Sequence, residues 1–205
     1  MDIAFKKLLI NDAREIIGKD DPSHDILHSL RVLKLVEYLQ EREGGDLEVL
    51  VPSALLHDAV NPPKNTPKAQ VASELSGEFV ANLLREKYAD RYTPVQIDLA
   101  KQIVADCSFS KAREQKSLEG KILQDADLLE SIGAIAVMRT FCSAGTMKLR
   151  LYHADDPFAQ NGREPQPFDN ALDLFPARLF RVKERLHTDT AKELAISRIL
   201  FVKEF

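Results

Sequence analysis

The stretch Leu50-Val51-Pro52-Ser53-Ala54-Leu55-Leu56-His57-Asp58 decides how this chain is read. Leu50, Val51, Ala54 and Leu55 recur at helical spacing, so the run predicts a buried helix. It ends abruptly in an imidazole and a carboxylate. Burying two such groups without partners costs roughly 1–3 kcal/mol or more each, and a metal ion supplies the partner in one step. A bare His-Asp pair is weak evidence, and the chain has a second one, His24-Asp25. The first pair gains from company at a distance. His28 lies upstream on another predicted helix, and Asp127 lies downstream in Gln124-Asp125-Ala126-Asp127-Leu128-Leu129.

Working outward, helical periodicity dominates and no run alternates as a strand would. Residues 3–17 place Phe5, Leu8, Leu9, Ala13, Ile16 and Ile17 on one stripe, stopped by Gly18. Asp20-Asp21-Pro22-Ser23 reads as a turn, with Ser23 as N-cap of a helix to about Glu43. On it His24, His28 and Arg31 share one face. Gly44-Gly45 ends that helix and Asp46 caps the next, where Pro52 either kinks the helix or restarts it. The loop Asn61 to Pro67 follows the His-Asp pair directly. Helices are expected over 68–88, from Thr93-Pro94 to about Cys107, and from Leu118 to about Phe141 after a polar loop at 108–117. Residues 145–170 lack periodicity and carry Pro157, Pro165 and Pro167, the mark of a functional lid or a partly mobile segment. Two more helical segments, 171–187 and 189–204, close the chain, with Thr188 as a cap between them. The expectation is one compact all-α helical bundle, residues 1–205 as a single domain of seven or eight helices.

Composition narrows the setting. At 44% hydrophobic and 29% charged, the chain can bury a sizeable core and keep a solvated surface. A net charge of -4 argues mildly against a large nucleic-acid or anionic-membrane surface. No stretch approaches the ~20 apolar residues that span a bilayer, and the N-terminus lacks the apolar core of a signal peptide. The two cysteines, Cys107 and Cys142, suggest a reducing compartment rather than a disulfide scaffold. The expected location is cytoplasmic, with neither nucleic acid nor membrane as partner. The oligomeric state stays open.

The set His28, His57-Asp58 and Asp127 resembles the HD superfamily of metal-dependent phosphohydrolases. The matching stretches are His24 to Val32, Ala54 to Ala59 and Lys121 to Glu130, in the family's order. Similar stretches occur at Ser108-Phe109-Ser110-Lys111 and Thr190-Ala191-Lys192-Glu193-Leu194, so the likeness covers most of the chain. The resemblance implies an all-α fold of the HD-domain type and a divalent metal held by His28, His57, Asp58 and Asp127. Asp125 competes for the last position, but the family pattern places the ligand in Ala-Asp-x-Leu, which selects Asp127. A mixed nitrogen and oxygen set suits a six-coordinate first-row ion with open positions. We expect one ion per chain, manganese first, with nickel, cobalt, magnesium or iron as other occupants.

Taken singly, His28 or His57 reads as a satisfied core or surface histidine; the order of the motifs is what raises them. Asp58 is expected to ligate the ion and also to orient an attacking water. Asp25 and Glu130 are weaker candidates for orienting the ligands, with a solvated acid as the plain alternative for each. Phosphate requires cationic donors. Arg31, which shares the face of His28, offers bidentate geometry, while Lys64 and Lys111 sit in loops where a solvated lysine is the plain alternative. Lys148 and Arg150 border the irregular segment. Cys107 stands where many similar proteins carry histidine. The leading function is hydrolysis of a small phosphate ester or anhydride, a nucleotide by resemblance. The alternatives are a two-iron oxygenase and a non-catalytic nucleotide-binding sensor. A two-iron site of this family needs further ligands, which in relatives of that type are histidines, and between Asp58 and Asp127 there is none.

Overall fold

The computed structural model describes residues 1–18, 21–62, 66–108 and 113–205. Among these residues the fold is all-α, with nine α-helices, several short 3-10 turns and one isolated bridge between Arg150 and Asn170. The described residues group into two units. One holds residues 1–20 and 24–127, the other 21–23 and 128–205.

In the first unit, Asp2 opens α1 (Ile3–Ile16) by accepting the Phe5 N–H at 2.8 Å. The buried Asp12 then ties α1 to α4 (Ala72–Lys87). It accepts from Lys87 Nζ at 2.6 Å and from the hydroxyl of Tyr88, the residue that follows α4, at 2.5 Å. α2 (Ile26–Glu43) is capped by Asp25, whose carboxylate accepts the His28 N–H at 3.0 Å. That corrects the expectation for Ser23. The Ser23 side chain belongs to the second unit, where its Oγ approaches Ser143 Oγ at 3.0 Å. Gly44 and Gly45 take φ of +90° and +97°, which reverses the chain before Asp46 caps α3 (Leu47–Leu56) through the Glu48 N–H.

α3 is the centre of this unit. Residues Val49 to Leu56 are all buried, as a helix apolar on every side must be. α1, α2, α4 and α5 (Pro94–Ala105) pack around it. Pro52 lies inside one continuous helix. Its absent N–H leaves out one interior bond, to the Glu48 carbonyl, without breaking the helix. Thr93 and Gln96 cap α5 reciprocally, with Pro94 at its first position, as the sequence predicts.

The predicted helix from Leu118 to Phe141 is two helices, α6 (Leu118–Glu130) and α7 (Ala134–Thr146). Gly133, at φ +87°, breaks it, a conformation for which periodicity carries no signal. In the second unit, Arg198 of α9 (Asp189–Glu204) donates to the Leu129 carbonyl at 2.7 Å. Thr188 caps α9 through the Ala191 N–H, as expected. The predicted helix over 171–187 is instead a 3-10 turn (Ala171–Asp173), the single turn α8 (Leu174–Ala177) and a second 3-10 stretch (Leu179–Arg185). Pro176 sits inside α8, and Arg178 leaves helical geometry directly after it.

The 147–170 stretch is irregular in backbone but closely bonded. The buried Asp173 accepts from Arg163 Nη1 and Nη2 at 2.5 and 2.7 Å, from the Gln166 N–H at 2.8 Å and from Asn170 Nδ2 at 3.1 Å. Asp156 accepts the N–H groups of Gln160 and Asn161. A cluster of Phe141, Phe175, Phe180 and Phe205 lies in the same unit.

Candidate metal centre

His28 lies in the first turn of α2, His57 is the residue that ends α3, and Asp58 follows it in a tight turn closed by Ala59 N–H to Leu56 O at 3.0 Å. α6 supplies Asp127. All four belong to the first unit. The apolar α3 explains the first step: once its side chains are buried on every side, the next two residues emerge inside the protein.

The four side chains converge. His57 Nε2 and His28 Nε2 are 3.3 Å apart. Asp58 Oδ2 lies 3.5 Å from His57 Nε2 and 3.7 Å from His28 Nε2. Asp127 Oδ1 lies 3.5 Å from His28 Nε2 and 3.7 Å from His57 Nε2. Ligands about 2.1 Å from one ion are separated by roughly 3.0–3.4 Å at right-angled to tetrahedral geometry; the imidazole pair falls within that range and the four carboxylate spacings lie a few tenths of an ångström beyond it. Taken alone, His28, His57 and Asp58 offer ligand atoms all within 4.8 Å of one another.

Donor chemistry agrees. His57 Nδ1 donates to the Ala54 carbonyl at 2.9 Å, which leaves its Nε2 as a lone pair. Two imidazole nitrogens 3.3 Å apart need a proton or a cation between them, and with two carboxylate oxygens adjoining, the residues fit a divalent ion. Burial would push the Asp58 carboxyl up. With no ion bound, and where the imidazoles carry protons, the charges of His57, His24 and His28 outweigh that against the opposing charge of Asp127 and hold it at about 2. The imidazoles are buried, whereas the carboxylate side chains keep 26% (Asp58) and 23% (Asp127) of their exposure. The carboxylates therefore form the side of the centre that water or a substrate can reach.

Other candidates are placed unevenly. Arg31 is half-buried on α2, one turn beyond His28. Lys64 and Lys111 lie outside the described residues. Lys148 and Arg150 are exposed in the second unit. Asp25 is an N-cap, which orients the helix that carries His28. Asp125 and Glu130 are both buried, so neither is a solvated acid. Cys107 is buried, and burial, then the charges of Asp127 and Asp58, push its thiol well up. A thiol kept protonated in that way is a poor metal ligand. His24 received no role from the sequence. Its ring stands edge-on to that of His28 at 5.8 Å between centroids. The signal was its i, i+4 spacing to His28, although His24 precedes the helix rather than riding on it.

Fold and centre together define an all-α protein with a two-histidine, two-carboxylate donor set suited to a divalent cation. The HD domain model matches residues 25–132, just over half of the chain, and the chain belongs to that family. HD domains bind divalent metals. The uncharacterised protein YpgQ of Bacillus subtilis (strain 168) is 31% identical over 196 residues, 94% of this chain and 85% of YpgQ. A crystal structure of YpgQ in complex with ADP superposes with a TM-score of 0.72 at 28% identity, covering 97% of this chain and 92% of that one. A Lactobacillus plantarum protein gives a TM-score of 0.78 at 25% identity over 100% and 94% of the two chains. An HD-superfamily hydrolase from Bacillus thuringiensis gives 0.71 at 27% identity over 98% and 93%.

Proposed function

We propose that this protein is a metal-dependent phosphohydrolase that cleaves a small phosphate ester or anhydride, with a nucleotide as substrate. The observation that carries the reading is the convergence of two imidazole nitrogens and two carboxylate oxygens at 3.3–3.7 Å. His28, His57, Asp58 and Asp127 would hold one divalent ion, manganese before nickel, cobalt, magnesium or iron. When bound, the ion acidifies water and neutralises charge on a phosphoryl oxygen.

The remaining work falls to the chain. The His57 Nδ1 bond to Ala54 fixes the ring so that Nε2 faces the centre. Asp58, ionised and partly exposed, would both help hold the ion and orient the attacking water. Arg31 would offer the phosphate a bidentate cation, and Lys64 and Lys111 remain further candidates from the sequence. The nucleotide rests on likeness to YpgQ, whose structure holds ADP.

The test pairs metal analysis of protein purified without chelator with a screen of nucleoside mono-, di- and triphosphates for phosphate or pyrophosphate release, with oxygen uptake followed in parallel. One ion per chain and phosphate release without oxygen consumption are expected. Two irons per chain with oxygen uptake would replace the hydrolase with an oxygenase, and tight nucleotide binding without turnover would leave a sensor.

A further inference from the structure

Asp58 takes its direction from the backbone on either side of it. On one side is the last turn of α3, where His57 is separately anchored to Ala54. On the other side is Val60, and Val60 is held from α4. Its N–H donates to Ser76 Oγ at 3.0 Å, and the same hydroxyl lies 3.5 Å from the Val60 carbonyl. Ser76 is fully buried. A serine inside a helix commonly bonds back to its own i−4 carbonyl, as Ser53 does to Val49 and Thr140 to Ala136. Ser76 instead reaches across 16 residues of sequence to a loop backbone.

The helix that presents this hydroxyl is itself seated tightly. A Cβ at Gly77 would lie 2.5 Å from the Lys101 carbonyl of α5, so the glycine beside Ser76 lets α4 press against the α5 backbone. Rigid contact therefore runs from α5 through Gly77 and Ser76 to Val60, two residues beyond Asp58.

We propose that Ser76 is a positioning residue for the metal centre, fixing the Val60 backbone and through it the aim of the Asp58 carboxylate. This rests on the metal-binding reading above. The hydroxyl touches neither ion nor substrate, so its effect is read in the affinity of the folded protein for the ion. Partners hydrogen-bonded to a ligand typically change metal affinity 10–100-fold, and Ser76, acting through the backbone next to the ligand, is expected at the low end of that range.

The test is calorimetric titration of manganese into chelator-treated wild type, Ser76→Ala and Ser76→Thr, with circular dichroism on each. Ser76→Ala removes one buried hydroxyl and nothing else, so the helical signal should persist while manganese binds about tenfold more weakly. Ser76→Thr keeps the oxygen and should recover most of the affinity. Equal affinity in wild type and Ser76→Ala would overturn the proposal and leave the metal centre standing. Failure of wild type to bind manganese or any other divalent ion would remove the metal-binding reading itself. A lower melting temperature for Ser76→Ala with unchanged affinity would make Ser76 a structural residue only, and would also overturn the proposal.

Discussion

Asp58→Asn keeps the shape of the side chain and removes one charge from the centre. With neutral imidazoles, Asp58 and Asp127 together balance a divalent ion; with asparagine a full positive charge is left over. At an effective dielectric of about 20, unit charges about 4 Å apart interact by roughly 4 kcal/mol, about a thousandfold in affinity. The double charge and shorter distance of the ion raise this figure while desolvation of the carboxylate lowers it, so about a thousandfold is the order of the expected loss. At an ion concentration of about 100 times the wild-type dissociation constant, binding stabilises the fold by about 2.7 kcal/mol. For a chain of this length that raises the melting temperature by about 5–11 °C. The same concentration would be about a tenth of the variant's dissociation constant, and the rise vanishes. The assay is a thermal melt with and without manganese, reversed by chelator. Ligation needs the imidazoles of His28 and His57 neutral, so the manganese-induced rise in wild type should shrink as the medium is made acid. An equal manganese-induced rise in Asp58→Asn would refute the reasoning.

Four further outcomes are expected. Arg31→Ala should raise KM for a phosphate substrate by about tenfold or more, the loss of a charge-assisted bond of roughly 1.5–3 kcal/mol, with metal content unchanged; unaltered kinetic constants would take Arg31 out of the site. Asp173→Asn should destabilise the fold by about 3 kcal/mol by breaking the buried pair with Arg163; since hydrogen bonds from Arg163, first among several causes, hold the native carboxyl at about 2, below its ordinary ~3.9, the difference should be complete above about pH 4 and fade as pH falls toward 2, read as urea midpoints against pH. Asp25→Ala, which removes the cap of the helix bearing His28, should cost about 1 kcal/mol in urea denaturation. Gly133→Ala should lower the melting temperature, because φ +87° strains any side chain and the new Cβ meets Arg198 at 3.4 Å.

What the sequence made legible was whatever depends on near neighbours. The helices with caps and breakers in their own residues, such as Asp46, Thr93-Pro94 and Thr188, fall where expected. So does the His-Asp pair, because an apolar run that stops at two polar residues speaks for itself. The misplacements have one physical origin. Gly133 breaks a helix by adopting positive φ, which periodicity cannot see. Ser23 and Asp25 are both good caps two residues apart, and only packing chooses between them. Residues 147–170 read as shapeless because no repeat marks them. Their order comes from one buried carboxylate, Asp173, that draws together Arg163, Gln166 and Asn170. Asp125 and Asp127 were separable in principle, since two residues along a helix point in different directions. Family likeness selects Asp127, and its Oδ1 lies 3.5 and 3.7 Å from the two imidazole nitrogens.

The position of the centre relative to its helices adds a last constraint. His57 and Asp58 stand at the C-terminal end of α3, the end that carries the partial negative charge of the helix dipole. That end favours a cation, by about 0.3–1 kcal/mol and up to ~2 kcal/mol where partly buried. Each carboxylate contributes on the order of 4 kcal/mol by the estimate above. The dipole can therefore assist binding but cannot replace a lost carboxylate. A cation site at a helix C-terminus without Asp58 and Asp127 would be weak, and the same two acids without α3 would lack the buried imidazole that fixes where they point. The core needs none of them, because Leu50, Val51, Leu55 and Leu56 bury α3 whatever follows it. Substitution at His57 or Asp58 should accordingly abolish ion binding and leave the helical signal in place, a separation that circular dichroism and metal analysis on the same preparation measure together.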